Sequence, residues 1–330
     1  MSVDVSQVTE LVNNDGYAAM FEMYDGVVPV YPRLGRVINP LEAGVELYGD
    51  KGTVFAAHER FKRREDGQDI EASSTKKAYT WRCAIHQYSR GMVLPSRLLR
   101  SNGAKSAVKA KILEFAQDRG EAAILDKEDI IAGMFQKGTL TAGSTTYFDN
   151  AYPGEADPNR GFIYDGLPWF DGAHTAINGS TYSNIVTSGA LSQTTLESSL
   201  TTMQRTNAKN DRGDRIRIRA NALLVPSGSM EYTARKTVQT PQVTGSNNND
   251  INPIQGSLEV IPWAALDDTA SASSWWLGVL GRGLRIYDSG PPRLWVQTRE
   301  NGDLVVNAEY YFGAAVDNWR YWMANNKVDS

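Results

Sequence analysis

The sequence predicts an α+β protein, and three stretches carry that prediction. Two strand-like runs, TVFAAHERF (53–61) and AYTWRCAIH (78–86), flank Asp66-Gly67, a strong β-hairpin turn. A helical pattern fills about 104–137, where Ala104, Val108, Ile112 and Phe115 recur at three- and four-residue steps. Near the C-terminus, Asn301-Gly302 joins two β-rich runs as a second hairpin.

Taken in order, residues 1–44 read as an arm. A weak helical pattern (Val8, Leu11, Val12, then Ala18, Ala19, Met20) is broken by NNDG at 13–16, and a proline- and glycine-rich extended stretch follows. In the first hairpin, Tyr79, Trp81, Cys83 and Ile85 share one strand face, and KRREDGQDIEASSTKK makes a charged tip. A two-stranded hairpin of this kind is marginal alone, so it needs another surface to rest on. The 104–137 stretch is one bent helix or two, with Gly120 as the break and Asp126–Asp129 as a second start. A loop-rich region spans 139 to about 190. A helix over 194–206 follows, with Thr194 and Glu197 at capping-box spacing. RIRIRANALLVP reads as a strand ending at Pro226, SMEYTARKTV (229–238) as a helix, and SLEVIPWAAL and SSWWLGVL as buried strands.

Composition narrows the function. The chain has 330 residues, 22% charged and 41% hydrophobic, an ordinary globular balance. Its formal charge of −4 argues against a protein built to grip nucleic acid. One cysteine, Cys83, makes neither an intramolecular disulfide nor a multi-cysteine zinc site, which predicts folding in a reducing cytoplasm. No signal peptide is expected, and the apolar runs fall well short of the ~20 residues that span a bilayer. Eight Trp and fifteen Tyr favour large half-buried surfaces and interfaces.

The chemical motifs are sparse. His58, His86 and His174 are far apart in sequence, and no HExxH, CxxC, GxSxG or phosphate-loop motif occurs. Arg212-Gly213-Asp214 is turn chemistry, and Arg215, Arg217 and Arg219 on one face read as a solvated or subunit-contact surface. YDGLPWFDGAHT (164–175) gathers Asp165, Asp171 and His174 around Trp169 and Phe170. Such a set suits a metal or acid/base site, or a structural loop whose acids cap amides; acids beside glycine favour the loop. No catalytic, metal or cofactor residue is therefore expected.

The order of parts resembles the major capsid proteins of tailed bacteriophages, the Hong-Kong-97-type fold, and within it the Mu-like major head subunit family. The resemblance rests on KGTLTAGSTTYFDNAYP, DGLPWFDGAHT, the LESSLTTMQRTNAKNDRGDRIRIRANALLVPSGSMEYTARKTV run, NPIQGSLEVIPWAAL and SSWWLGV, and covers roughly 90–330. Where that family often has His-Pro, this chain has Ala-His-Thr. The resemblance implies an N-terminal arm (1–44), an extended hairpin loop (45–90), the spine helix of a peripheral domain (91–138), an axial domain (139–290) and a closing hairpin returning to the peripheral domain (291–330). It implies self-assembly into pentamers and hexamers of an icosahedral shell, in a virion capsid made in the host cytoplasm, without enzymatic activity. Portal, scaffolding or decoration proteins would be further partners, with weak, non-specific contact to packaged double-stranded DNA and none to membrane. The expected inter-subunit residues are the hairpin tip: Lys62, Arg63, Arg64, Glu65, Asp66, Lys76 and Lys77. Competing readings are a tail-tube protein, a cellular encapsulating shell and a hydrolase using the acidic loop.

Overall fold

The computed structural model describes residues 4–42, 44, 46, 49–55, 63, 69, 77–101, 104–139, 163–242, 250–267 and 272–327. Helix α1 (Val5–Leu11) passes through a π-helical turn at Val12–Gly16 into α2 (Tyr17–Gly26), and α3 (Tyr31–Leu34) leads to β1 (Arg36–Ile38). Strands β2 (Gly49–Phe55), β3 (Lys77–Ala84) and β4 (His86–Leu94) follow, then α4 (Ser96–Leu99) and the long α5 (Ala104–Gln136). Two-residue strands β5 (His174–Thr175), β6 (Thr181–Tyr182) and β7 (Ile185–Val186) precede α6 (Gln193–Thr201). The remainder is β8 (Ala222–Pro226), α7 (Ser229–Gln239), β9 (Glu259–Trp263), β10 (Trp275–Gly278), β11 (Leu284–Asp288), β12 (Arg293–Thr298), β13 (Leu304–Val316) and β14 (Trp322–Asn325).

Two mixed sheets organise the chain. In the first, β13 pairs with β12 and β4 on its two sides and with β11 further along, and β1 adds parallel to β11. The second runs β7-β14-β10-β8-β9. Hairpin β2–β3 pairs with neither and forms a sheet of its own.

Several expectations shift for physical reasons. NNDG does not break the first helix: the chain widens into the π turn, and Val8, Val12 and Met20 bury against Val108, Ile112 and Ala116 of α5. Tertiary burial here outweighs weak local propensity. Gly120 is no break either, since α5 is one helix of 33 residues. A Cβ at Gly120 would collide with the carbonyl of Met20, so this glycine lets α2 cross α5 at close range. The cap of α6 is Ser192, with a reciprocal bond to Thr195, rather than Thr194. Only the apolar end of RIRIRANALLVP is ladder-paired, as β8, because only that end enters the second sheet. The first strand of the charged hairpin starts at Gly49, four residues before the expected start, with Gly52 opposite Trp81, and positions 56–61 of the expected run lie outside the described residues; the second ends at Ala84, because His86 already pairs with Phe312 as the start of β4. The helix expected over 229–238 forms as α7, the runs SLEVIPWAAL and SSWWLGVL hold β9 and β10, and Asn301-Gly302 lies in the turn between β12 and β13.

Candidate functional site

Two regions bear on function: the acidic loop and the anchorage of the charged hairpin. In the loop, Asp165 accepts from the Leu167 amide (3.2 Å) and Asp171 from the Ala173 amide (2.7 Å), the capping roles that aspartate beside glycine suggests. Trp169 and Phe170 stack at 4.5 Å and sink into the aromatic core around Phe135, Trp263, Trp276 and Trp322.

His174 goes further than the sequence suggests. It is fully buried, with Nδ1 2.6 Å from Asp165 Oδ2. Nε2 faces Asn184 Oδ1 (3.1 Å) and the Trp169 carbonyl (3.2 Å). The Asn184 amide nitrogen donates to the carbonyls of Trp169, Trp319 and Trp322, which fixes its Oδ1 as the acceptor. Both ring nitrogens therefore meet oxygen atoms. The imidazole stacks on Trp319 at 4.4 Å, and the Arg320 guanidinium sits over the same indole at 4.5 Å. Arg320 in turn pairs with buried Asp211 at 2.8 Å. The His174–Asp165 hydrogen bond and the Arg320–Asp211 ion pair thus flank one tryptophan and bring together three distant segments: loop 163–186, the turn at 207–214 and the C-terminal 319–327. Because His174 is sealed from solvent and bonded at both nitrogens, a substrate has no atom to reach. Among the described residues, no three His, Cys, Asp or Glu side chains converge as a metal site, and no helix is long and apolar enough to cross a membrane.

The hairpin is clamped at its base. Trp81, Cys83 and Ile85 pack on Tyr287 and Ala315 of the first sheet, the face the alternation predicts. Arg285 lies 4.3 Å over the Trp81 ring, the Tyr287 hydroxyl donates to Asp50, and Tyr79 donates to the Thr175 carbonyl at 2.6 Å. Burial, then the Asp50 carboxylate, pushes the Cys83 thiol up. Of the expected tip residues, Arg63 is exposed, and Lys77 is exposed at the start of β3 opposite Phe55. Lys62, Arg64, Glu65, Asp66 and Lys76 lie outside the described residues.

Sequence reasoning missed Lys127. It sits in the acid-rich DKEDI run yet is fully buried, donating to Asp288 (2.6 Å), the Gly290 carbonyl (2.7 Å) and the Tyr24 hydroxyl (3.0 Å). Its helical phase was the available signal: Lys127 is four residues before Ile131, on the buried stripe of α5.

The described residues thus make an α+β subunit with a hairpin anchored at its base and an acidic loop packed into the aromatic core. The chain belongs to the phage capsid protein family, whose family model matches residues 107–325. It is a capsid protein, a builder of shells. Among solved structures it is similar to the capsid of the cyanophage P-SCSP1u (9% identity, 92% of this chain and 89% of that one, TM-score 0.49). It is also similar to the capsid of Ralstonia phage GP4 (11%, 90% and 87%, TM-score 0.45) and to a virus-like particle from Pyrococcus furiosus (10%, 95% and 99%, TM-score 0.44). No curated protein matches it in sequence.

Proposed function

We propose that the chain is the major head subunit of a tailed bacteriophage, of the Hong-Kong-97 type and the Mu-like branch, closing as pentamers and hexamers into an icosahedral shell without enzymatic activity. The observation that carries this reading is the family match over 107–325, together with a hairpin that pairs with neither main sheet. Hairpin β2–β3 would lie across a neighbouring subunit, with the tip Lys62–Asp66 and Lys76–Lys77 making the contact. Residues 91–138 with 291–330 would form the peripheral domain and 139–290 the axial domain. The N-terminal segment, helical over Val5–Gly26 and packed on α5 of its own chain, would extend from that docked helix toward a neighbour. Each subunit would then make many modest contacts that symmetry repeats into a stable whole. Host-cytoplasmic synthesis, contact with portal or scaffold and loose contact with packaged DNA belong to the same reading.

Negative-stain electron microscopy of the purified, concentrated chain tests it. Closed shells, pentamers or hexamers are expected. A chain that stays monomeric across salt and pH refutes it.

A further inference from the structure

Resting on that shell reading, we propose that Arg217 and Arg219 dock on the carboxylate face of helix α5 of a second copy of this chain. Residues 215–220 alternate in burial as an extended segment does, with Arg215, Arg217 and Arg219 exposed while Ile218 and Ala220 are buried in the core beneath the second sheet. The backbone is pinned from below, so the arginines project outward beside a groove of about 550 Å³ lined with Gln204. Arg217 and Arg219 have no side-chain partner among the described residues. Alternate residues of an extended chain lie about 6.7 Å apart, so the two guanidinium groups stand as an ordered pair.

The matching surface is on α5. Glu114, Asp118, Glu121, Leu125 and Asp129 follow at steps of four, three, four and four residues, one exposed stripe turned away from Gly120 and the α2 contact. Glu114 and Glu121 have no side-chain partner among the described residues, and Asp118 is held by its neighbour Arg119. Glu114 to Asp118 is about 6 Å along the axis and Glu114 to Glu121 about 10.5 Å, which brackets the arginine spacing. Like charges at these steps weaken a free helix, and arginine forks relieve them with bidentate bonds. Leu125, exposed within the stripe, adds an apolar contact.

The arginine pair and the acidic face are different surfaces of one chain, so their pairing is head-to-tail, the geometry that closes as a ring. Duplex DNA is a poorer partner. Firm phosphate binding draws on about six to ten contacts, and a chain of net charge −4 that offers two partnerless arginines here is far from that.

The test uses the full chain with R217E/R219E, with E114R/E121R, and with all four changes, each checked for a wild-type denaturation midpoint; R217Q/R219Q serves if reversal unfolds the chain. Assembly is followed by light scattering and electron microscopy at low salt. Each reversed pair is expected to cut assembly by more than about tenfold, and the four-fold change to restore it, because reversal on both sides rebuilds the attraction. Variants that assemble like wild type, or a four-fold variant as defective as either pair, overturn the docking alone. An arginine variant that assembles normally but loses salt-dependent DNA binding also overturns it and gives the stripe to nucleic acid. A wild-type chain that stays monomeric overturns the shell reading and the docking together.

Discussion

Replacing Lys127 by methionine should destabilise the subunit severely. Methionine keeps most of the buried stem, so packing against the Tyr24, Tyr310 and Phe312 rings changes little. What is lost is the ammonium that donates to Asp288, Gly290 and Tyr24. Asp288, itself buried, keeps the Tyr31 hydroxyl (2.5 Å) and the Gly290 amide (2.8 Å) but loses its counter-charge. Removing one member of a buried pair costs about 3–5 kcal/mol, and the surviving bonds to Asp288 place the loss near the lower end, about 3 kcal/mol. That is a large share of the roughly 5–15 kcal/mol that holds a typical protein together. The assay is the denaturant midpoint of the unassembled chain, read by tryptophan fluorescence. Adding D288N should recover more than half of the loss, because the amide oxygen still accepts from Gly290, the amide nitrogen donates to the Tyr31 hydroxyl oxygen, and no stranded charge remains. A K127M chain within about 1 kcal/mol of wild type refutes the reasoning, since the pair would then contribute no more than a surface bridge.

Four further outcomes follow from the same structure. His174→Ala should lower stability by about 3 kcal/mol by stranding Asp165 and Asn184, measured by the same midpoint, and Asp171→Ala, which loses one exposed cap, by about 1 kcal/mol. Gly52→Val should dislodge the hairpin base, because its Cβ would enter the Trp81 ring; limited proteolysis between β2 and β3 reads this, and unchanged cleavage would show that the register tolerates the side chain. Stability should also fall on the alkaline side. Burial raises the Cys83 thiol above 9.0 and the Tyr31, Tyr164, Tyr287 and Tyr310 phenols above 10.0. Only the unfolded chain can then ionise at those values, so the stabilisation is complete below about pH 9 and drains away as pH rises, by up to about 1.4 kcal/mol per pH unit per group. A flat midpoint from pH 8 to 11 would contradict those burials.

The sequence made visible what local physics decides. Asn301-Gly302 needs φ > 0 and has it at Gly302, so the hairpin of β12 and β13 could be placed from two letters. The alternation of Trp81 and Cys83 along β3, continued by Ile85 just after it, marked the face that packs on Tyr287 and Ala315, because a strand has only two faces. The acids of the 164–175 loop cap amides as their glycine neighbours suggest. Long-range choices stayed hidden. Gly120 looks like a helix breaker until α2 is laid across it, and NNDG looks like a stop until α5 rewards continuing. The partner of His174 is nine residues away in sequence, but Asn184, Trp319 and Arg320, which make the pair rigid, come from segments that only the fold brings together.

That hidden layer has a common logic. The Lys127–Asp288 pair ties the long helix to the first sheet, the Arg320–Asp211 pair ties the turn at 207–214 to the segment just before β14, and the His174–Asp165 pair braces the 163–186 loop where it stacks on Trp319. Replacing such pairs by apolar residues often leaves a protein as stable or more so, so raw stability is a weak account of them. Their directional bonds do something burial does not: they allow one relative placement of the parts and penalise its neighbours. A shell repeats one subunit shape many times, and a small error in that shape is multiplied at every symmetric contact. Variants that exchange a pair for uncharged isosteres, such as K127M/D288N, therefore separate two costs. The denaturation midpoint should change by less than about 2 kcal/mol, because no charge is stranded. The fraction of correctly closed particles should fall, with open or irregular shells in their place. If closure survives unchanged, these networks serve stability alone, and the uniqueness of the subunit shape must come from packing of the aromatic core around Phe135.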